Sequence, residues 1–391
     1  MNGDSQLSEI IIKTIAQEGP ITFARFMEMA LYYPELGYYT SNKEKIGREG
    51  DFYTSSNVHP LFSQMIARQA KDMWRSMGQP TDWQFIEYGA GKGILAREFL
   101  LELQRQFPQC FNALTYWIIE ISPFFKKVQQ EVLAELKLPD DKVRWAAGPE
   151  QVFGGKINGC IFSNELLDAF PVHRVKQQEH GLSEIYVDYR NNEFCETEGL
   201  LSKPELEDYF TRQNIKLSPG QSAEVNLNAL YWLKKQASCL NKGFIFTIDY
   251  GLEAELLYSQ SRFDGTLRCF RKHTLNDNPY QHIGEQDITS NVNFTALELW
   301  GEKAGLVNTK TITQADFLIN MGILDVLEEQ DDFTFDKQKL HQTLAIKQLI
   351  MPEGMGRYFK VLIQYKGLDQ EPELQGLKKN HIYKVRKCLN K

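Results

Sequence analysis

Phe85-Ile86-Glu87-Tyr88-Gly89-Ala90-Gly91-Lys92-Gly93 is the stretch that decides how this chain folds. An apolar run that ends in Glu and passes into alternating glycines reads as a buried strand entering a sharp turn. Glycine lets the backbone bend with its amides uncovered and no side chain between chain and ligand. Further on, Tyr116-Trp117-Ile118-Ile119-Glu120 is a second short apolar strand, and a carboxylate at its tip can accept both hydroxyls of a ribose. The unit is strand, glycine turn, helix, strand, carboxylate.

Such a unit also suits a nicotinamide or flavin enzyme, and the glycine spacing arbitrates. A dinucleotide fingerprint has glycine at its first, third and sixth positions, the last for close helix packing. Here the sixth position is Ile94, and the glycines fall at 89, 91 and 93 with Glu87 ahead of them. That spacing is the one class I methyltransferases use, where the methionine end of S-adenosyl-L-methionine (SAM) meets the loop. The candidate cofactor contacts are Glu87, Gly89, Gly91, Gly93 and Glu120. On this element alone, a glycine-rich turn in an unrelated α/β fold stays open.

The flanking sequence repeats the alternation. Strands are expected at 84–88, 116–120, 143–147 and 159–163, with helices between them whose apolar residues recur at helical spacing. A parallel, doubly wound α/β sheet is the common solution to that order. A buried strand returns at 244–251, and the closing strand is expected at 358–365. Residues 1–80 read as a helical N-terminal region and 81–391 as the sheet domain. An insertion at about 173–222 begins with an antiparallel ribbon turning at Asn191-Asn192. Residues 252–293 read as irregular and polar.

A hydrophobic content of 42% over 391 residues supports a packed globule of one large domain or two lobes. The net charge of -7 and the lack of a Lys/Arg stripe argue against a nucleic-acid partner. The six cysteines include no CxxC pair, so neither a metal cluster nor a redox dithiol is expected. No signal-type start and no membrane-length apolar run is found, so no membrane insertion and a cytoplasmic location are expected.

Two further segments carry candidate chemistry. Gly47 to Ser56 is a polar, Gly-hinged loop between buried helices, where a lid or cofactor clamp sits, and Gly50, Asp51 and Phe52 are its candidates. After the fourth strand comes Ser163-Asn164-Glu165-Leu166-Leu167-Asp168-Ala169-Phe170-Pro171-Val172. Ligands of such sheets bind beyond the carboxyl ends of the strands. Asn164 is therefore a candidate for positioning cofactor or substrate. Glu165 and Asp168, on one face of a helical turn, are candidates for gripping a cationic acceptor. Asn164 or Asp168 as a helix cap is the structural alternative.

These segments resemble the MidA-like family of SAM-dependent methyltransferases, which includes the mitochondrial complex I assembly methyltransferase. The likeness runs through ALYYPELGYY (30–39), GDFYTSS (50–56), EYGAGKG (87–93), IIEISP (118–123), SNELLDAFPV (163–172), IDYG (248–251), GTLRCF (265–270) with His273, GEQDITSNVNF (284–294) and MGRYFKVL (355–362). Ser56 departs from it, standing where the family pattern has proline. The resemblance implies a class I methyltransferase fold with SAM as cofactor, no metal, and an arginine-containing protein substrate. Lacking a transit-type N-terminus, the chain is expected to be a bacterial relative of the mitochondrial members. His273 can accept a proton or serve structurally. A small-molecule acceptor and a non-catalytic SAM-binding assembly factor are the other functions this sequence allows.

Overall fold

Apolar runs that are buried on both faces pair as parallel strands when helices cover the sheet on either side. In this computed structural model, residues 6–41, 59–152, 154, 156–271, 274–325 and 337–378 are described. The main sheet contains, in chain order, β1 (Trp83–Tyr88), β2 (Leu114–Ile119), β3 (Val143–Ala146), β4 (Ile157–Asn164), β5 (Leu240–Leu252), β6 (Val307–Asn308) and β7 (Phe359–Lys366). Their spatial order is β6-β7-β5-β4-β1-β2-β3. The pairs β1–β2, β2–β3, β1–β4 and β4–β5 are parallel, and β6 is antiparallel to β7. Since β2 and β4 flank β1, the strand order reverses there. The crevice outside the carboxyl ends of β1 and β4 is where such sheets take their ligands.

The described residues divide into two compact units, one within 53–164, 236–249 and 301–391, the other within 1–52, 165–235 and 250–300. The first holds the parallel sheet, and its core is aromatic. Phe85 of β1 packs against Phe99 of helix Ile94–Gln106 at 4.4 Å, Tyr116 of β2 at 5.4 Å and Phe162 of β4 at 5.5 Å. Phe162 continues the layer to Phe246 of β5 at 5.1 Å. Helix Pro60–Ser76 belongs to this unit and is tied to Ile94–Gln106 by an Arg68–Glu102 pair of 2.9 Å. Ser122 caps helix Pro123–Ala134, its hydroxyl accepting from the Phe125 amide.

The second unit is built on an antiparallel sheet. Strand Gly181–Arg190 pairs with Ile21–Thr22, His173–Gln178 and Glu193–Gly199, and Ser222–Val225 pairs with His173–Gln178. The ribbon turns at Asn191 and Asn192, both at positive φ, as the sequence suggested. Helices Gln6–Glu18 and Phe23–Tyr32 share one hydrophobic core with this sheet, through Leu7, Ile11, Phe26, Val172 and Val187. Residues 252–293 are more ordered than their composition suggested. Arg268–Arg271, Thr274–Asn276 and Asp287–Thr289 form a three-stranded sheet. Strands of three and four residues are too short to show a period of two in a polar sequence.

Gly159 of β4 lies between Gln84 of β1 and Gly243 of β5. A Cβ at 159 would fall 1.9 Å from the Gln84 carbonyl oxygen, a backbone atom that cannot rotate away. Gly159→Ala is therefore expected to destabilise the fold by about 3 kcal/mol. Equilibrium denaturation measures this, and a loss below about 1 kcal/mol would show that the central strands can separate locally.

Candidate functional site

Leaving β1, the backbone enters the glycine turn at positive φ three times, at Gly89 (64°), Gly91 (53°) and Gly93 (80°). L-residues with a Cβ resist that conformation, which explains the alternation. The Gly89 amide donates to the Ile119 carbonyl of β2 at 3.2 Å, which fastens the turn to the neighbouring strand. Gly93 is the residue from which helix Ile94–Gln106 starts, so the turn ends on a helix N-terminus.

Glu120 follows β2, and donors of the chain itself orient its carboxylate. The Ser122 amide donates to Oε1 at 2.8 Å, and Gln129 Nε2 donates to Oε2 at 2.9 Å. Burial raises its pKa, and those bonds oppose the rise. The same Gln129 Nε2 donates to the Gly91 carbonyl at 2.9 Å, while Gln129 Oε1 accepts from Trp145 Nε1 at 3.0 Å. One fully buried amide therefore joins the glycine turn, the carboxylate and β3. Sequence reasoning missed Gln129, because a lone glutamine in an amphipathic helix carries no local signal. Ile121, beside Glu120, is 60% exposed and offers an apolar surface next to the carboxylate.

Glu87 behaves differently from Glu120. It is 3% exposed, and its Oε2 accepts from the Tyr116 hydroxyl at 2.8 Å. Burial pushes its pKa up to about 8, with the Tyr116 bond opposing and nearby Glu120 adding to the rise. In the cofactor-free protein it is mainly a protonated acid at neutral pH. Asn164 ends β4, one residue beyond the Ser163↔Tyr88 pairing, so Glu87, Glu120 and Asn164 all stand at carboxyl ends of adjacent strands.

Glu165 and Asp168 belong to the second unit. They do not lie on a helical turn: residues 165–170 form bends and a turn, with Glu165 at φ 51°. The cap reading of Asp168 fails with it. Asp168 is buried, bonded by the Tyr250 hydroxyl, and burial raises its pKa to about 6. Gly50, Asp51, Phe52 and His273 lie outside the described residues. Among the described residues no group of acids, histidines and cysteines has metal-binding geometry, and no helix is long and apolar enough to cross a membrane.

Known proteins are similar to this chain in sequence and fold. The pattern of a family described as "Putative S-adenosyl-L-methionine-dependent methyltransferase" matches residues 65–312. A crystal structure from Burkholderia thailandensis, bound to S-adenosyl-homocysteine, is 30% identical with a TM-score of 0.84, covering 97% of this chain and 96% of that one. Among curated relatives, the Drosophila melanogaster "Protein arginine methyltransferase NDUFAF7 homolog, mitochondrial" is 26% identical over 94% of this chain and 86% of its own length. The human "Protein arginine methyltransferase NDUFAF7, mitochondrial" is 27% identical over 88% of this chain and 80% of its own length.

The raised pKa of Glu87 has a measurable consequence. Between pH 4.5 and about 8 the folded protein keeps a proton that the unfolded chain releases, so stability falls as pH rises through that window. Glu87→Gln abolishes this titration. Denaturation of the cofactor-free proteins should show a flatter pH profile for the variant, with its stability relative to wild type rising toward alkaline pH. Identical slopes would show that Glu87 is ionised in its site.

Proposed function

The chain belongs to that family of S-adenosyl-L-methionine-dependent methyltransferases, and from this premise we infer that it methylates a guanidinium nitrogen of an arginine in a protein substrate. The observation that carries the cofactor side is the Gln129 amide, which holds Gly91 and Glu120 in one fixed arrangement. In this reading Glu120 accepts the ribose hydroxyls, Ile121 covers the flat face of the base, and the turn Gly89 to Gly93 receives the methionine end. Glu87, near the end of β1, and Asn164, at the end of β4, are proposed to complete the cofactor contacts. The fit rests on chemistry the chain displays: a partly exposed carboxylate held by donors on both oxygens, beside a turn free of side chains at three positions. Gly50, Asp51 and Phe52 are proposed as the contribution of the N-terminal region to this site.

SAM supplies an electrophilic methyl group on a sulfonium, displaced in line. The work of the chain is then to place and polarise the acceptor. A guanidinium is charged at any physiological pH, and one of its nitrogens attacks well only when the charge is drawn toward the other two. Glu165 and Asp168 are proposed to hold that charge, stabilising the cation as it develops. Arginine is favoured over a small neutral acceptor by the names of the mitochondrial relatives. His273 is proposed as the proton acceptor.

Two measurements test the reading. Gly91→Val puts a branched side chain at a positive-φ position of the turn proposed to receive the cofactor, and calorimetry should show most S-adenosyl-homocysteine binding lost. Tight binding of NADH in its place would refute the cofactor assignment. Glu165→Gln should slow single-turnover methyl transfer by roughly a hundredfold while cofactor affinity stays within a few-fold. Normal transfer by that variant ends the clamp. Labelled SAM incubated with wild-type protein and lysate from cells lacking it identifies the acceptor, and label on a residue other than arginine overturns the substrate assignment.

A further inference from the structure

The site described above does not use Asp287, a further acidic group of the antiparallel unit, which opens the short strand Asp287–Thr289. We propose that Asp287 and Asp168, together with the stacked rings of Tyr32 and Tyr39, form the seat for the cationic side chain of the acceptor. The proposal rests on the arginine reading above and adds the residues that would recognise the guanidinium. Tyr32 and Tyr39 stack with centroids 5.4 Å apart and planes 24° off parallel. The Tyr39 hydroxyl donates to Asp287 Oδ1 at 2.8 Å, and the Tyr32 hydroxyl donates to the Ala169 carbonyl at 3.1 Å, next to Asp168 in the chain. The Ser290 amide donates to the Asp168 carbonyl at 3.0 Å, which ties the two acidic segments together.

These contacts alone would describe a structural cluster, since Asp287 Oδ1 also accepts from the Ile288 amide. The polar atoms left over point to a ligand. Asp168 Oδ1, Thr289 Oγ1 and Ser290 Oγ have no hydrogen-bond partner among the described residues, on side chains 6%, 1% and 1% exposed. A buried polar atom without a partner costs about 1–3 kcal/mol, and such atoms are tolerated where a bound group satisfies them. Thr289 lies on the same strand face as Asp287, because alternate residues of a strand share a face, whereas Ile288 between them enters the hydrophobic core.

The electrostatics agree with this geometry. Burial first, then the charges of Asp287 and Asp168, drive the Tyr32 and Tyr39 hydroxyls well above the ordinary tyrosine range. Two acids acting on the same pair of rings create a field that a cation relieves. A planar guanidinium suits it best, since it bonds carboxylates through a fork of N–H groups and lies flat on aromatic faces.

The test uses the full chain saturated with S-adenosyl-homocysteine and titrated calorimetrically with acetylarginine amide, its neutral counterpart acetylcitrulline amide, and acetyllysine amide. Wild type is expected to bind the arginine probe at least about tenfold more tightly than the citrulline probe, and Asp287→Asn to lose about tenfold or more of that affinity. Cofactor affinity, measured on the same preparations, should be unchanged. If Asp287→Asn does not bind the cofactor, Asp168→Asn carries the same comparison. Unchanged arginine affinity in both variants, or no saturable binding of either cation by wild type, overturns the seat. Asp287-dependent binding of the lysine probe alone supports the seat and overturns the arginine reading. Arginine methylation that persists unaltered in Asp287→Asn preserves that reading and overturns the seat.

Discussion

The buried side-chain amide of Gln129 is the interaction on which the carboxyl edge of the parallel sheet depends. Its nitrogen donates both to the Gly91 carbonyl and to Glu120, and its oxygen is held by Trp145. A glycine turn has little conformational preference of its own, and a carboxylate at a strand tip can rotate. Locking both to one helix residue removes that freedom before any ligand arrives, so binding need not supply the ordering. Gly93 shows how tight the arrangement is, since a Cβ there would lie 3.3 Å from the Gln129 backbone.

The antiparallel unit is held by a different logic. Its core joins Leu7 and Phe26 from the N-terminal helices to Val172 and Val187 from the ribbon and to Cys269 and Ile288 from far down the chain. Contacts of such sequence separation close late, because loop entropy is lost before they reward it. The N-terminal helices therefore cannot complete their packing until the chain beyond residue 288 is in place. This couples the aromatic pair Tyr32 and Tyr39 to the acidic strand Asp287–Thr289 in folding as well as in space.

What the sequence disclosed follows the range of each signal. Long apolar runs made β1, β2, β4 and β5 legible, and the triple glycine spacing identified the turn, because both are properties of neighbouring residues. The Asn191-Asn192 turn was legible for the same reason. Gln129, Asp287 and the unpartnered hydroxyls were not, since their meaning comes from partners distant in the chain. The helical turn expected after Asn164 was misread because Glu165 and Asp168 have helical spacing, yet positive φ at Glu165 breaks the helix at its first residue. The short strands of 252–293 escaped because three or four residues are too few to show a periodicity.

Glu165 itself carries a consequence for anyone altering this protein. A residue with a Cβ in the left-handed region costs about 1–2 kcal/mol relative to its relaxed conformation, and glycine or asparagine would sit there more comfortably. On the role proposed for Glu165, position 165 is a place where stability and chemistry pull apart. A search for thermostable variants would favour glycine at this site, and each such success would delete a carboxylate from the end of β4. Selection for heat resistance and selection for turnover would then choose opposite residues at one backbone position.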